Sequence, residues 1–447
     1  MNKLRLNIWG ILLAIVLIFP ACNPESDDVE PIKVQNAVQK AIFDSMKEWY
    51  YWTSEIPDDV DLSGSLSNED LLEKLRYAPL DRPGWTYLTT RAQFEAAFTG
   101  QVSGVHGFRL ALDENENLFV ASVLPNGPAG RDGWQRGWEF IEINGRSISS
   151  YRNSNGSYSF DLGPNTVGVQ NTFKLKLPDG TETTRTIAKE SFQANSVIFE
   201  DVFEANGKKV GYWVYESFRA TSGLTPVRSQ EVENSFNFFI SEGIDELIID
   251  LRYNGGGSVD VAAQVLNYLV PQSASNSPSF VYRYNGNKIE NNRTINFSKI
   301  GSLNLSRVVF ITSRSSASSS ELIINSLSPY MEVVLIGANT YGKPVGQFPL
   351  SQFNRTLREN DVEVVPVTFS IANANGRADY FDGLEANFLV GDDFTKNWGD
   401  PEEARLAAAL NFISTGAVSS RLASTYYEPI WEMIDSFKGL EKEFPIY

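Results

Sequence analysis

From Arg307 to Ile336 the sequence reads as a buried strand, a helix and a second buried strand, and this order constrains the fold more than any other feature. Residues 307–311 and 332–336 are apolar runs of strand length, and residues 321–327 between them have the length and pattern of a helix. A strand, helix and strand in this order form a right-handed crossover unit in a parallel sheet. The loops that follow the two strands therefore leave at the same sheet edge. The first contains Ser316-Ala317-Ser318-Ser319-Ser320-Glu321, and the second contains Tyr341-Gly342-Lys343-Pro344-Val345-Gly346-Gln347.

A serine hydroxyl is a weak nucleophile until a neighbouring base, usually histidine or a desolvated lysine, takes its proton. The chain has a single histidine, His106, in a turn remote in sequence, so a lysine is the expected base. An amine in water keeps its proton up to a pH of ~10.4, so such a base must be buried. Taken singly, a serine-rich loop is a solvated turn and a lysine is surface charge. Position argues otherwise, because a serine opening a helix sits at the positive end of the helix dipole. Unpaired N–H groups there can hold an oxyanion. A third segment adds to this pattern. Residues 246–252 read as another buried strand, followed by Tyr253-Asn254-Gly255-Gly256-Gly257-Ser258 and a helix over residues 259–269. Consecutive glycines let backbone N–H groups approach a ligand, although alone they are equally a flexible turn.

Together, Leu251-Arg252-Tyr253-Asn254-Gly255-Gly256-Gly257, Ser316 to Glu321, and Gly342-Lys343 with Gln347 resemble the C-terminal processing (tail-specific) serine peptidases. The resemblance implies a crotonase- or ClpP-like α/β peptidase core. It also implies that Ser318 is the nucleophile, Lys343 the general base and Gln347 the group that orients it. Oxyanion donors by the same resemblance are Gly255 or Gly256 and Ser319. Pro344 stands where the family commonly has glycine, and Gly346 where it often has valine.

A nucleotide-binding alternative fails on one residue. Residues 337–344 miss the phosphate-loop pattern only at the end, where Pro344 supplies neither a hydroxyl for a metal nor an N–H for a phosphate. No cofactor or metal is expected. A net charge of −17 argues against nucleic acid and anionic lipid surfaces as partners. A protein or peptide fits better. The 447 residues exceed one typical domain, and 28 Phe, 18 Tyr and 9 Trp suffice for large cores.

Lys3 and Arg5 precede an apolar run over residues 8–19 and then Pro20-Ala21-Cys22, which reads as a secretory signal rather than a membrane helix. With the chain's lone cysteine directly after the small residues, it resembles a bacterial lipoprotein signal in which Cys22 is acylated. The alternative is an ordinary signal with an incidental cysteine. By this reading residues 1–22 are the signal and 23–33 a linker, and the mature protein is lipid-anchored in the cell envelope, at the outer membrane facing the periplasm or the cell surface.

Val34, Val38, Ile42, Met46 and Trp49 recur at helical spacing, and Ser67 can cap a second helix, so residues 34–98 are expected to form a small helical domain. Trp49-Tyr50-Tyr51-Trp52 within it is either packed core or a substrate surface. Residues 99–190 change to short strands and turns, and residues 119–129 and 137–145 resemble a PDZ domain. That likeness implies a peptide-binding loop at Gly107, Phe108, Arg109 and Leu110 that holds a substrate C-terminus, the peptide adding as a strand. Trp134 and Trp138 depart from the family pattern. A module that only positions the core is the alternative. Residues 191–415 make the peptidase core, with helices expected at 226–242 and from Asp400, and residues 416–447 a C-terminal tail. The sequence thus points to a serine endopeptidase. Its competitor is an inactive peptide-binding lipoprotein on the same scaffold.

Overall fold

The structure, a computed structural model, describes residues 29–419, with side chains from residue 37 onward. The signal segment, Cys22, the first linker residues and most of the C-terminal tail lie outside the described residues.

The strands expected from apolar runs meet in one sheet of six strands. Its order is Val197–Ala205, Lys208–Tyr215, Glu246–Asp250, Arg307–Thr312, Glu332–Gly337 and Phe388–Leu389. The first pair is antiparallel and every later pair parallel. Central strands buried on both faces read as unbroken apolar runs rather than alternation, as Leu247-Ile248-Ile249 and Val308-Val309-Phe310-Ile311 do. Register matters for function. Asp250 pairs with Ile311 and Thr312 with Gly337, so these three strands end nearly level and release their loops at one edge. Ser258 caps the helix Val259–Leu269 by accepting the Val261 N–H, and the helix Ser319–Leu327 follows the third central strand as expected. A second, antiparallel sheet orders Arg293–Asn296, Pro278–Tyr284, Val367–Asn373 and Val345–Gln347, and carries Gln347 on its last strand.

Two expected helices begin later than the sequence suggested. The helix expected from residue 226 spans Gln230–Glu242 because Ser229 accepts the Val232 N–H. The one expected from Asp400 spans Ala404–Thr415, capped by Glu403, which accepts the Leu406 N–H. In both, the residue with a free acceptor at the right height wins over proline's preset φ.

The N-terminal helices do not close a core of their own. Val38, Ile42 and Met46 of Val29–Trp49 and Leu71, Leu72 and Leu75 of Asn68–Leu75 pack against Val345, Leu350, Leu357, Val364 and Val367 of the α/β core. Each such buried side chain contributes about 1.5–3 kcal/mol, so the helices are held by the core they cover. The strand Tyr87–Thr89 also pairs with Glu363–Val365. Trp49 and Tyr50 are buried in this shared core, the packed alternative for the aromatic cluster.

Residues 108–188 form an antiparallel sheet in the order Phe108–Leu112, Leu118–Val123, Glu139–Ile143, Gln170–Lys176 and Glu182–Ala188, with Arg146–Ser147 alongside. One face closes over an aromatic core in which Trp134 stacks on Phe108 at 5.2 Å and Trp138 is buried beside it. The other face brings Phe119 against Phe394 at 5.3 Å. Where this module meets the core, Arg136 and Arg252 share Asp392 at 2.6 and 2.7 Å, and Arg252 also holds Glu403 at 2.8 Å and Asp250 at 2.6 Å. Trp398 lies 4.3 Å from the Arg136 guanidinium and 5.1 Å from that of Arg252.

Candidate active site

Ser318 sits between the strand Arg307–Thr312 and the helix Ser319–Leu327 with φ 56° and ψ −112°, a conformation that L-residues with side chains rarely adopt. Backbone strain of this kind costs about 1–3 kcal/mol and persists only where its surroundings over-determine it. Here they do. The turn is tied down by Ser316 Oγ, which donates to the Leu251 carbonyl at 2.8 Å, by the Ala317 N–H to the Asn254 carbonyl at 3.1 Å, and by Ser320 Oγ to the same carbonyl at 3.0 Å. Both acceptor carbonyls belong to the glycine-loop segment, so the serine turn is built on it.

The lysine loop is fastened to the same turn. The Tyr341 N–H donates to the Ser316 carbonyl at 2.9 Å. Glu321 accepts from Thr340 Oγ1 at 2.6 Å and the Gly342 N–H at 2.7 Å on Oε1, and from the Lys343 N–H at 2.8 Å and the Ser318 N–H at 2.9 Å on Oε2. Gly342 has φ +95°, and a Cβ there would lie 2.2 Å from the Phe381 carbonyl oxygen, so glycine is required. The departure at Gly346 has a similar cause, because a Cβ there would meet the Phe369 ring at 2.2 Å. Pro344 keeps its carbonyl in use, accepting from the Ile371 N–H at 3.1 Å.

Ser318, Lys343, Gln347 and Gly255 line one cavity, with Tyr87, Phe94, Phe98, Phe218 and Val259 making its apolar walls. Lys343 is buried, with its Nζ 5.7 Å from the Trp85 ring centroid. Gln347 Oε1 is buried and accepts no hydrogen bond among the described residues, which leaves an amide oxygen ready for a donor. The Gly342 and Lys343 N–H groups both point to Glu321 rather than to open space, so this loop does not cradle a phosphate.

The glycine loop is clamped from its other side. The Phe218 N–H donates to the Gly256 carbonyl at 2.9 Å and the Ser258 N–H to the Phe218 carbonyl at 2.8 Å. Of the two glycines expected as oxyanion donors, Gly256 is corrected: its N–H donates to Asn254 Oδ1 at 2.9 Å and is already engaged. Gly255 lines the cavity, and Ser319 occupies the first position of the helix that Ser318 opens.

The expected peptide-binding loop is also corrected. Gly107, Phe108, Arg109 and Leu110 are buried. Phe108 and Leu110 belong to the module's own core, Arg109 is ion-paired with Glu216, and Gly107 packs directly on Gly127. With these residues buried as a whole, backbone included, no open groove runs along this strand. His106, beside it, is buried with its Nε2 2.8 Å from Asn171 Oδ1, and burial pushes its pKa down to about 4. It has no part in the cavity.

The sequence reading did not single out Glu321 beyond its place in the serine motif, nor Asn254 as the group that engages Gly256. It also passed over Arg136, Asp392 and Glu403, which are far apart in sequence and carry no local signal. The S-x-x-E spacing from Ser318 to Glu321 was the one available clue, as a capping pattern.

A parallel α/β core, a strained serine at a strand-to-helix turn and a buried lysine in the neighbouring loop define a candidate serine-hydrolase site. Comparison with known proteins agrees. Residues 209–377 match the family model for Peptidase family S41 and residues 37–87 that for the Peptidase S41 N-terminal domain. Two segments of the chain thus match domains of peptidase family S41. It is 26% identical to the carboxyl-terminal-processing protease of Picosynechococcus over 60% of this chain and 61% of that protein. It is 24% identical to carboxyl-terminal-processing peptidase 3, chloroplastic, of Arabidopsis thaliana over 58% and 49% respectively. These matches span less than two thirds of either relative. A crystal structure of a Bacteroides fragilis protein assigned to the S41 proteases superposes with a TM-score of 0.67 at 25% identity, covering 83% of this chain and 96% of that one.

Proposed function

We propose that the chain is a serine endopeptidase that cleaves protein or peptide substrates through an acyl-enzyme on Ser318. The observation that carries this reading is the convergence of Ser318 and Lys343, on the loops after two adjacent strands, on one cavity and on one carboxylate. Lys343 takes the Ser318 proton as the hydroxyl attacks the scissile carbonyl, and returns it to the leaving amine. Gln347 lines the same cavity, and its unengaged amide oxygen is the acceptor that would orient the amine without adding a charge. The Gly255 and Ser319 N–H groups hold the developing oxyanion at the positive end of the helix Ser319–Leu327. Water then repeats the attack on the acyl-enzyme.

Purified protein carrying Ser318→Ala, Lys343→Ala or Lys343→Arg is expected to release no fragments from casein while remaining folded. Arginine keeps its proton and cannot act as a base, so Lys343→Arg separates charge from basicity. Hydrolysis by Lys343→Arg, or labelling by a fluorophosphonate at another serine, refutes the assignment. Gln347→Ala should cost about tenfold in kcat, the worth of one good hydrogen bond.

The N-terminal reading is part of the same proposal: Cys22 carries lipid and anchors the enzyme in the cell envelope, its only membrane contact. Intact mass of the mature protein tests it, and an unmodified Cys22 or another mature N-terminus rules it out. The 108–188 module is assigned the role of positioning the core, which its burial against Phe394 and Trp398 supports.

A further inference from the structure

We infer that Glu321 is a positioning residue for catalysis, the brace that sets the main chain of the nucleophile against that of the base. The inference rests on the assignment of Ser318 and Lys343 as dyad. A glutamate three residues after a helix-opening serine ordinarily does one thing, which is to accept the N–H of that serine. That accounts for one of four bonds here. The other three come from Thr340, Gly342 and Lys343, in a loop about twenty residues further along the chain.

The side chain is fully buried, and burying a carboxylate is costly unless donors surround it. All four groups that reach it are donors, two on each oxygen, which suits the ionised form, while burial pushes its pKa up. The arrangement is also directional. Oε2 alone takes the N–H of Ser318 at 2.9 Å and the N–H of Lys343 at 2.8 Å, so one atom sets how far apart the two residues begin. Ser318 holds φ 56° and needs such a restraint to stay there. A brace for stability alone has no reason to grip the two residues whose side chains react.

Glu321→Gln is the test, because it keeps the shape but turns one acceptor oxygen into a donor that faces two further donors. We expect kcat on casein to fall by about 100-fold, the usual consequence of misplacing reacting groups by a fraction of their spacing. KM should stay within about threefold, since no substrate contact is removed. The labelling rate of Ser318 by a fluorophosphonate should fall in parallel with kcat, and Glu321→Asp, which keeps both oxygens, should restore part of both. If Glu321→Gln does not fold, Thr340→Val decides instead. It removes one bond to Oε1, together with the acceptor of the Leu384 N–H, and should lower kcat and labelling by about three- to tenfold with KM unchanged. Wild-type kcat and labelling in the folded variants, or a loss confined to KM, overturns the inference. Ser318→Ala and Lys343→Ala run alongside: hydrolysis by either refutes the dyad, whereas their inactivity beside a fully active Glu321→Gln refutes only the brace.

Discussion

Gly256 and Ser318 stand so close that a Cβ on Gly256 would lie 2.8 Å from the Ser318 Cβ and 3.1 Å from the Ser319 nitrogen. The glycine loop and the serine turn thus pack closely, with no side chain of the loop between them. Gly256 also has φ +112°, where any other residue is strained.

Gly256→Ala should therefore push Ser318 or the glycine loop out of place. The expected result is a loss of about 100-fold or more in kcat/KM, comparable with removal of an oxyanion donor. Far-UV circular dichroism should remain native. Activity within threefold of wild type would show that the contact yields without consequence.

Asn254 engages the Gly256 N–H and also donates from Nδ2 to the Tyr215 carbonyl at 2.9 Å. Asn254→Ala frees the Gly256 N–H but unpins the loop. We expect kcat to fall by about tenfold, because the strained loop loses its anchor while Gly255 keeps its place. A rise in kcat would mean that Gly256 competes for the oxyanion once released.

Acid should weaken the junction between module and core. Although burial pushes the Asp392 carboxyl up, the guanidinium groups of Arg136, Arg252 and Arg405 hold it well below its usual range, and Glu403 is lowered likewise by Arg252. A carboxyl with a depressed pKa in the fold contributes stability that is complete above about pH 4 and lost as pH falls further. Asp392→Asn leaves Arg136 and Arg252 partly unpaired, and should cost about 3–5 kcal/mol in urea unfolding at pH 7. The variant should also lose less stability than wild type between pH 4 and 2.

His106 adds a separate dependence at milder acid. Its imidazole takes up a proton near pH 6.5 when unfolded, but only at about 4 in the fold, where burial opposes the charge. The unfolded chain binds more protons between these values. Stability is therefore full above about pH 6.5, declines by at most about 3 kcal/mol towards pH 4, and is flat in this term below it. In His106→Gln the slope between pH 6.5 and 4 should flatten, as read from urea midpoints. An unchanged slope would assign the effect to other groups.

The burial of Gly107, Phe108, Arg109 and Leu110 bears on substrate choice. Amidating the C-terminus of a peptide substrate should leave its KM within about threefold, since no carboxylate is held there. A tenfold or greater rise would show that this loop opens to take the chain end.

The segments of the candidate site were legible because their signals are local. An apolar run of strand length, a serine three residues before a glutamate and a glycine beside a lysine each report on neighbours a few residues away. The helices Val259–Leu269 and Ser319–Leu327 and the central strands fall where those patterns place them. Helix starts were less legible, because proline's preset φ at Pro226 and Pro401 competes with side-chain caps at Ser229 and Glu403 that depend on orientation.

By itself, the sequence determined the parallel crossover unit, and with it that Ser318 and Lys343 leave the same sheet edge. Short-range periodicity and handedness suffice for that. Only the tertiary structure decided that Glu321 grips both loops, that Asn254 occupies the Gly256 N–H, that the N-terminal helices share the core of residues 345–367, and that the loop at Gly107 is closed. Arg136 reaches Asp392 across 256 residues. Which buried donor meets which acceptor over such separations is set by how whole layers pack, and no pattern within a few residues records it.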